Sequence, residues 1–441
     1  MFKRSTALLF CAALASCGGA SSGDDENSEK FRTTYGYFLA TGNTSVSSVI
    51  MSIMGDSDIA LIQGQTNMTQ TPGLGFITGR VTDGTGAALA NVTIQAHNDS
   101  GLAAGSIVYQ SAINGVYTPG LLATTATGRF VVMNVQVGRV NIKCVSGADG
   151  NLLVRVPASS TVFAQMSVTA TGVQPTWSGV TQNLGAPGSA QPGGPEPLVN
   201  YQLLGVTSAP GPLSAITTGA FDLGTVPARN TFIVKCTKTD FVATHTYVRT
   251  VNANLTSGGG GGNVLITSVT NRDNELNATG VVLTPGTGII RGRVIDGNGG
   301  CVVEARDEND LPVGVVLYGD NADNARPSAV ATQMQADGYF YIYNVPPGLV
   351  LVRATETGFA ANAYVEVFAD GITIPLDLVP AVQTQATITL SGALASLQGF
   401  AVPKGVIVLH GMGIGDISDD FGEYAMTNVP TSHQFIVRTS K

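Results

Sequence analysis

Four histidines, His97, His245, His410 and His433, are the only imidazoles in the 441 residues. A zinc hydrolase needs two of them beside a carboxylate at close spacing, with a further ligand more distant. No H-x-x-E or H-E-x-x-H occurs and the four lie in separate stretches, so they read as lone strand or surface residues. Two glycine runs, Gly73 to Gly79 and Gly286 to Gly292, miss the G-x-G-x-x-G spacing and precede strands rather than helices, so they read as entry turns. The glycines 258 to 262 read as a hairpin or linker, and no serine elbow joining a strand to a helix is evident. The carboxylates Asp307, Glu308 and Asp310, close in sequence to Asp320 and Asp323, supply oxygens of the kind calcium takes. Their spacing fits no calcium loop, which leaves them as solvated loop acids. No catalytic residue, metal ligand or cofactor site is assigned.

Three tyrosines offer recognition chemistry instead: Tyr339, Tyr341 and Tyr343 alternate in the run Tyr-Phe-Tyr-Ile-Tyr. In a strand they share one face and Phe340 takes the other. Tyrosine joins apolar area to a polar tip, so the stripe reads either as a partner surface or as packing against a neighbouring unit. A single Trp in the chain argues against an aromatic sugar platform.

Repeats define the elements that position these residues. Residues 71 to 86, TPGLGFITGRVTDGTG, match residues 284 to 299, TPGTGIIRGRVIDGNG, at eleven of sixteen positions without a gap. A second signature recurs four times: Gly128, Phe130, Asn134, Val135; Gly219, Phe221, Thr225, Val226; Gly338, Phe340, Asn344, Val345; Gly422, Tyr424, Asn428, Val429. VPARNTFIVK and VPTSHQFIVR link the second unit to the fourth, while Gly138 and Gly348 link the first to the third. This is a duplicated pair, A-B-A-B, with units at 71–170, 171–283, 284–380 and 381–441. Alternation with period two and Asp-Gly or Pro-Gly turns predict an all-β chain of tandem β-sandwiches. The aromatics Phe130, Phe221, Phe340 and Tyr424 are expected at matching core sites. Cys144 and Cys236 fall on corresponding strands of different units, and with Cys301 they make an odd set, so no disulfide framework is expected.

The run GRVTDGTGAALANVTIQA, then TGRF and Asn-Val, resembles the carboxypeptidase regulatory-like domain, a prealbumin (transthyretin)-like β-sandwich. GRVIDGNG, ADGYF and NVPPG of the third unit resemble it most, and the second unit, whose opening strand around Trp177 to Val180 lacks the Asp-Gly turn, resembles it least. The resemblance implies a fold and an extracytoplasmic setting; modules of this kind serve many functions.

At the start, Lys3 and Arg4 precede a short apolar stretch, Ala7 to Ala15. That span is too short to cross a bilayer and has the form of a signal peptide, residues 1–16. Leu14-Ala15-Ser16-Cys17 resembles the lipobox of bacterial lipoproteins. The resemblance implies cleavage before Cys17, acyl chains on its amino-terminal residue, and, with Gly18 and Gly19 in place of Asp, the outer membrane, facing periplasm or cell surface. Residues 17–30 then form an acidic tether. The formal charge of −8, with no basic cluster, argues against nucleic acid. The expectation is a non-enzymatic, lipid-anchored cell-envelope protein acting as an adhesion, scaffold or partner-binding module, with a protein partner and open oligomeric state. A carbohydrate-binding surface lipoprotein, and an accessory to or degenerate form of a hydrolase, stand as alternatives.

The fourth unit ends soon after its FIVR strand, where the other units run on into further strands. Residues 31–70 carry strand-like stretches at Tyr35 to Ala40 and Val46 to Ile53. A local connection favours packing on the first unit alone. The alternative pairs this segment with the fourth unit and closes the chain on itself.

Overall fold

The computed structural model describes residues 29–39, 46–169, 174–183, 194–206, 218–251, 253–255, 264–295, 300–320, 326–335, 338–356, 359–379, 381–382, 387–430 and 434–441. It is an all-β chain of tandem sandwiches with, among the described residues, two short helices. One strand type opens every unit: Gly75–Thr82, Thr176–Asn183, Gly288–Arg293 and Ile388–Ser396. Each has an irregular register near its start, and each pairs antiparallel with the strand that bears the signature aromatic.

Opposite each aromatic stands a glycine: Gly79 faces Phe130, Gly179 faces Phe221, Gly292 faces Phe340 and Gly392 faces Tyr424. Space explains the pairing where it is tightest. A Cβ would come within 2.2 Å of the Phe130 ring at Gly79 and within 2.1 Å of the Phe340 ring at Gly292. The four aromatics occupy the expected core sites, with exposures of 0, 4, 0 and 4%.

The Asn of the second signature has a separate task. Asn134 and Asn344 both have φ of 58°, a left-handed conformation that asparagine tolerates better than most residues. Their Oδ1 atoms accept from the amides of Thr71 and Thr284 at 2.6 and 2.7 Å, and their Nδ2 groups donate to the carbonyls of Thr69 and Val282. The two sequence signatures are thus bonded to each other, each Asn fixing the Thr-Pro-Gly entry of its own unit.

Two long sheets cross the unit boundaries. One has eight strands, in which the second unit's Asn200–Leu204, Thr231–Thr237 and Thr244–Arg249 continue into the third unit's Ile372–Ile374, Gly288–Arg293, Tyr339–Val345, Val315–Asp320 and Arg326–Ser328. The other has nine, in the order Ile414–Ile417, Val406–Leu409, Gln434–Ser440, Thr34–Leu39, Thr161–Ser167, Gly75–Thr82, Arg129–Val135, Ser106–Gln110 and Tyr117–Thr118. The seam is the same in both: Thr244 pairs in parallel with Ile372 as Thr34 does with Thr161.

The amino-terminal segment therefore belongs to two units. Thr34–Leu39 pairs antiparallel with Gln434–Ser440 of the fourth unit and parallel with Thr161–Ser167 of the first. Val46–Gly55 pairs in parallel with Ile388–Ser396, as Val264–Ser268 pairs with Thr176–Asn183 in the second unit. The expectation of packing on the first unit alone is overturned. Distant strands fill two edges of the fourth unit, and an unfilled edge is a liability. The chain closes on itself.

Helix α1 (Asp56–Thr66) and helix α2 (Val269–Thr279) follow the two equivalent strands. The strand Val264–Ser268 gives way directly to α2, because Ser268 accepts a hydrogen bond from the amide of Asn271 and caps the helix. Each helix lies on the outer face of a long sheet. Ile59 and Ile62 of α1 pack with Phe76, Val131 and Met133, and Val269 and Leu276 of α2 lie against Tyr341 and Tyr343. No described helix is long and apolar enough to cross a membrane.

Candidate functional site

The tyrosine stripe is placed as alternation predicts, with Phe340 in the third unit's core and the tyrosines on the opposite face. That face is covered. Tyr341 and Tyr343 are 3% and 1% exposed, stacked with centroids 6.3 Å apart beneath α2. Tyr339 is half-buried, with the guanidiniums of Arg291 and Arg293 at 5.6 and 5.3 Å from its ring. The reading of these tyrosines as a partner surface is corrected to interior packing, because a helix that lies well before them in sequence occupies the place a partner would take. Trp177 is also fully buried. Cys17 lies outside the described residues.

Among the described residues the histidines stay apart, and no three His, Cys, Asp or Glu side chains converge as a metal site. His433 lies outside the described residues. Asp307 accepts from the amides of Asn309 and Leu311 in its own turn, Asp310 pairs with Arg306 at 3.0 Å, and Glu308 faces Arg438 at 3.9 Å. Asp323 is outside the described residues. Cys144, Cys236 and Cys301 carry free thiols, all pushed up by burial, Cys144 to about 12 and Cys301 to about 11.

Charged groups gather where three units meet. Arg155 and Glu366 stand at matching places on the closing strands Asn151–Val156 and Phe359–Val367, and they form an ion pair across the first and third units. The Tyr37 hydroxyl accepts from the Arg155 amide at 2.9 Å, and the Tyr247 hydroxyl accepts from the Glu366 amide at 2.8 Å. Nearby, Arg139 holds Asp99 through two hydrogen bonds of 2.8 and 2.7 Å and lies 5.0 Å over the Phe368 ring, on which His245 stacks at 3.7 Å. Burial raises the Glu366 carboxyl, against the pull of Arg155 and Arg139. The arrangement clamps units together.

His245 makes the clamp acid-sensitive. Burial, then the charges of Lys235 and Arg139, hold its imidazole down to about 3, whereas an unfolded histidine titrates near ~6.5. As pH falls below ~6.5 the unfolded chain takes up this proton and the folded chain does not, so stability is lost down to about 3. Glu366 works in the opposite sense, because its raised pKa lets the folded state take that proton first. His97 and His410, also held down chiefly by burial, act in the same sense as His245. His245→Gln should flatten the fall in urea midpoint between about pH 7 and 5; an unchanged slope in the variant would count against the assignment.

Two residues absent from the sequence reading offer a surface. Phe400 and Phe421 are 58% and 77% exposed. They sit on adjacent turns of the fourth unit, where a Cβ on Gly422 would meet that of Ala401 at 3.2 Å.

A cavity of about 270 Å³ lies between the nine-stranded sheet and the strands Val46–Gly55 and Ile388–Ser396. Its walls include Met51, Leu394 and Val437, with Arg80, Arg129 and Gln165 among the polar groups. Strand geometry dictates this mixture: Ile77, Gly79 and Val81 face the first unit's core, so Thr78 and Arg80 must point to the other side of the sheet.

No protein-family profile matches the chain, and no curated protein does. Among solved structures it is similar to the Bacillus anthracis TIE protein (11% identity, TM-score 0.18), over 70% of this chain and 51% of that one. The aligned part therefore spans about half the length of that relative. The major pilin subunit BcpA of Bacillus cereus aligns with 11% identity and TM-score 0.15, over 70% of this chain and 99% of the pilin. A DUF3823 family protein from Bacteroides uniformis aligns with 12% identity and TM-score 0.14, over 68% and 100% of the two chains. Likeness at this level carries no functional inference.

Proposed function

We propose that the chain is a non-enzymatic, lipid-anchored protein of the bacterial cell envelope whose closed set of sandwiches presents turns to a protein partner, as a scaffold or adhesion module. Each unit is read as a carboxypeptidase regulatory-like domain. The observation that supports partner binding is the exposed pair Phe400 and Phe421, since exposed neighbouring aromatics are typical anchors of protein interfaces. The glycan alternative finds less support, because Trp177, Tyr341 and Tyr343 are all buried.

Anchoring rests on Cys17 and its lipobox-like context. Acyl chains contribute roughly 0.8 kcal/mol per buried CH₂, so two or more hold a domain at a bilayer. About a dozen tether residues span only about 20 Å if flexible, which would keep the sandwiches close to the lipid. Cys17→Ser is expected to move the protein from the membrane fraction to the soluble fraction. Retention of that variant in membranes would remove the anchor. Protease added to intact cells then separates surface from periplasmic display, and loss of partner capture in Phe400→Ala with Phe421→Ala tests the proposed face.

A further inference from the structure

The two halves of the molecule differ at two pairs of matching positions. In the eight-stranded sheet Arg291 pairs with Tyr341 and Arg293 with Tyr339, and Arg291 lies over both rings while Arg293 lies over Tyr339. In the nine-stranded sheet the same register pairs Thr78 with Val131 and Arg80 with Arg129. Two guanidiniums thus replace an arginine and a ring, and among the described residues no aromatic stacks on either.

Neither arginine has a counter-charge. Among the described residues no carboxylate pairs with Arg80 or Arg129, although the chain carries 30 acidic residues against 22 basic. Arg80 Nε and Gln165 Oε1 are buried without partners. Burial and the neighbouring Arg129 both disfavour the charge on Arg80. A buried, unpartnered donor is costly, and native structures seldom leave one unexplained. Beside these groups lies the cavity of about 270 Å³, near the lower end of ligand pockets, roughly 300 Å³ upward.

We propose that this cavity binds an amphipathic anion, an alkyl chain ending in a carboxylate or phosphate, with its head between Arg80 and Arg129 and its chain against the partly exposed Phe163, Ala393 and Leu397. Guanidinium forks match such heads with paired, charge-assisted hydrogen bonds. The neutral wall takes the chain. The site is independent of the Phe400 and Phe421 surface and of the lipid on Cys17, so it stands or falls separately.

Calorimetric titration of the purified protein with octanoate, octyl phosphate and octan-1-ol tests it. One or both anions are expected to bind saturably and raise the melting temperature, with octanol at least about tenfold weaker, a difference of about 1.4 kcal/mol. Which anion binds better identifies the head. Arg80→Gln should weaken binding by about tenfold, while Arg291→Gln, in the half where rings cover the arginine, should not. Circular dichroism and the urea midpoint of each unliganded variant establish that it is folded, and Arg80→Gln is expected to equal or exceed the parent because it relieves like-charge repulsion. No binding by any probe, equal binding of octanol, or unchanged affinity in folded Arg80→Gln each overturns the proposal.

Discussion

A chain lacking residues 31–55 is expected to lose the ordered fourth unit. That segment supplies Met51, Ile53 and Met54, which are 2%, 0% and 0% exposed, and the strand that joins Gln434–Ser440 to the first unit. Without it the fourth core opens on one side and the nine-stranded sheet is cut at its seam. Hydrogen exchange should show lost protection across Ile388–Ser396, Glu423–Val429 and Gln434–Ser440, with Thr231–Thr237 and Tyr339–Val345 still protected. Undiminished protection of Gln434–Ser440 would mean that the fourth unit stands without its distant strands.

Phe340→Ala should be the most damaging single substitution in the third unit. The ring is wholly buried in a cluster with Ile290, Val303, Val352 and Val365, and lies directly over Gly292. Glycine has no side chain with which to fill the space, so the void collapses poorly. The expected loss is about 3–5 kcal/mol, in the range of Phe truncations in packed cores. Phe130→Ala, over Gly79, should cost a similar amount. A chemical-denaturation midpoint shifted by less than about 1 kcal/mol in both would show that the glycine–aromatic pairs do not organise the sandwiches.

Much of this was legible in the residues. Alternation placed Phe130, Phe221, Phe340 and Tyr424 in cores, and it turned the three tyrosines to the far face of their strand. What covers that face was not legible, because α2 comes from a segment some sixty residues earlier and alternation says nothing about distant neighbours. The helix had local marks, Ser268 as its N-cap and Gly280 in a left-handed C-cap, but the strand pattern running into it hid them. α1 follows the same course, with Asn67 left-handed at its end. Chain closure was legible only as a shortage: the fourth unit lacked strands and the first residues had some to spare. Locality found one of the two neighbours and missed the other, because preference for short connections cannot register an edge four hundred residues away. The pairing of Arg80 with Arg129 required register, which a bulge in the opening strand shifts by a residue.

The strand Thr34–Leu39 lies between two partners, antiparallel on one side and parallel on the other, and Thr34 sits opposite Thr439. This makes the molecule's mechanical strength depend on the direction of load. Tension applied to the amino-terminal end while the body is held acts along the strand and loads both hydrogen-bond ladders in shear, so many bonds must fail together. Tension applied between residues 34 and 439 acts across the ladder that joins them and opens it one pair at a time. A protein hung from its amino-terminal end resists pulling in the first geometry, whereas the same seam gives way readily when its two ends are drawn apart.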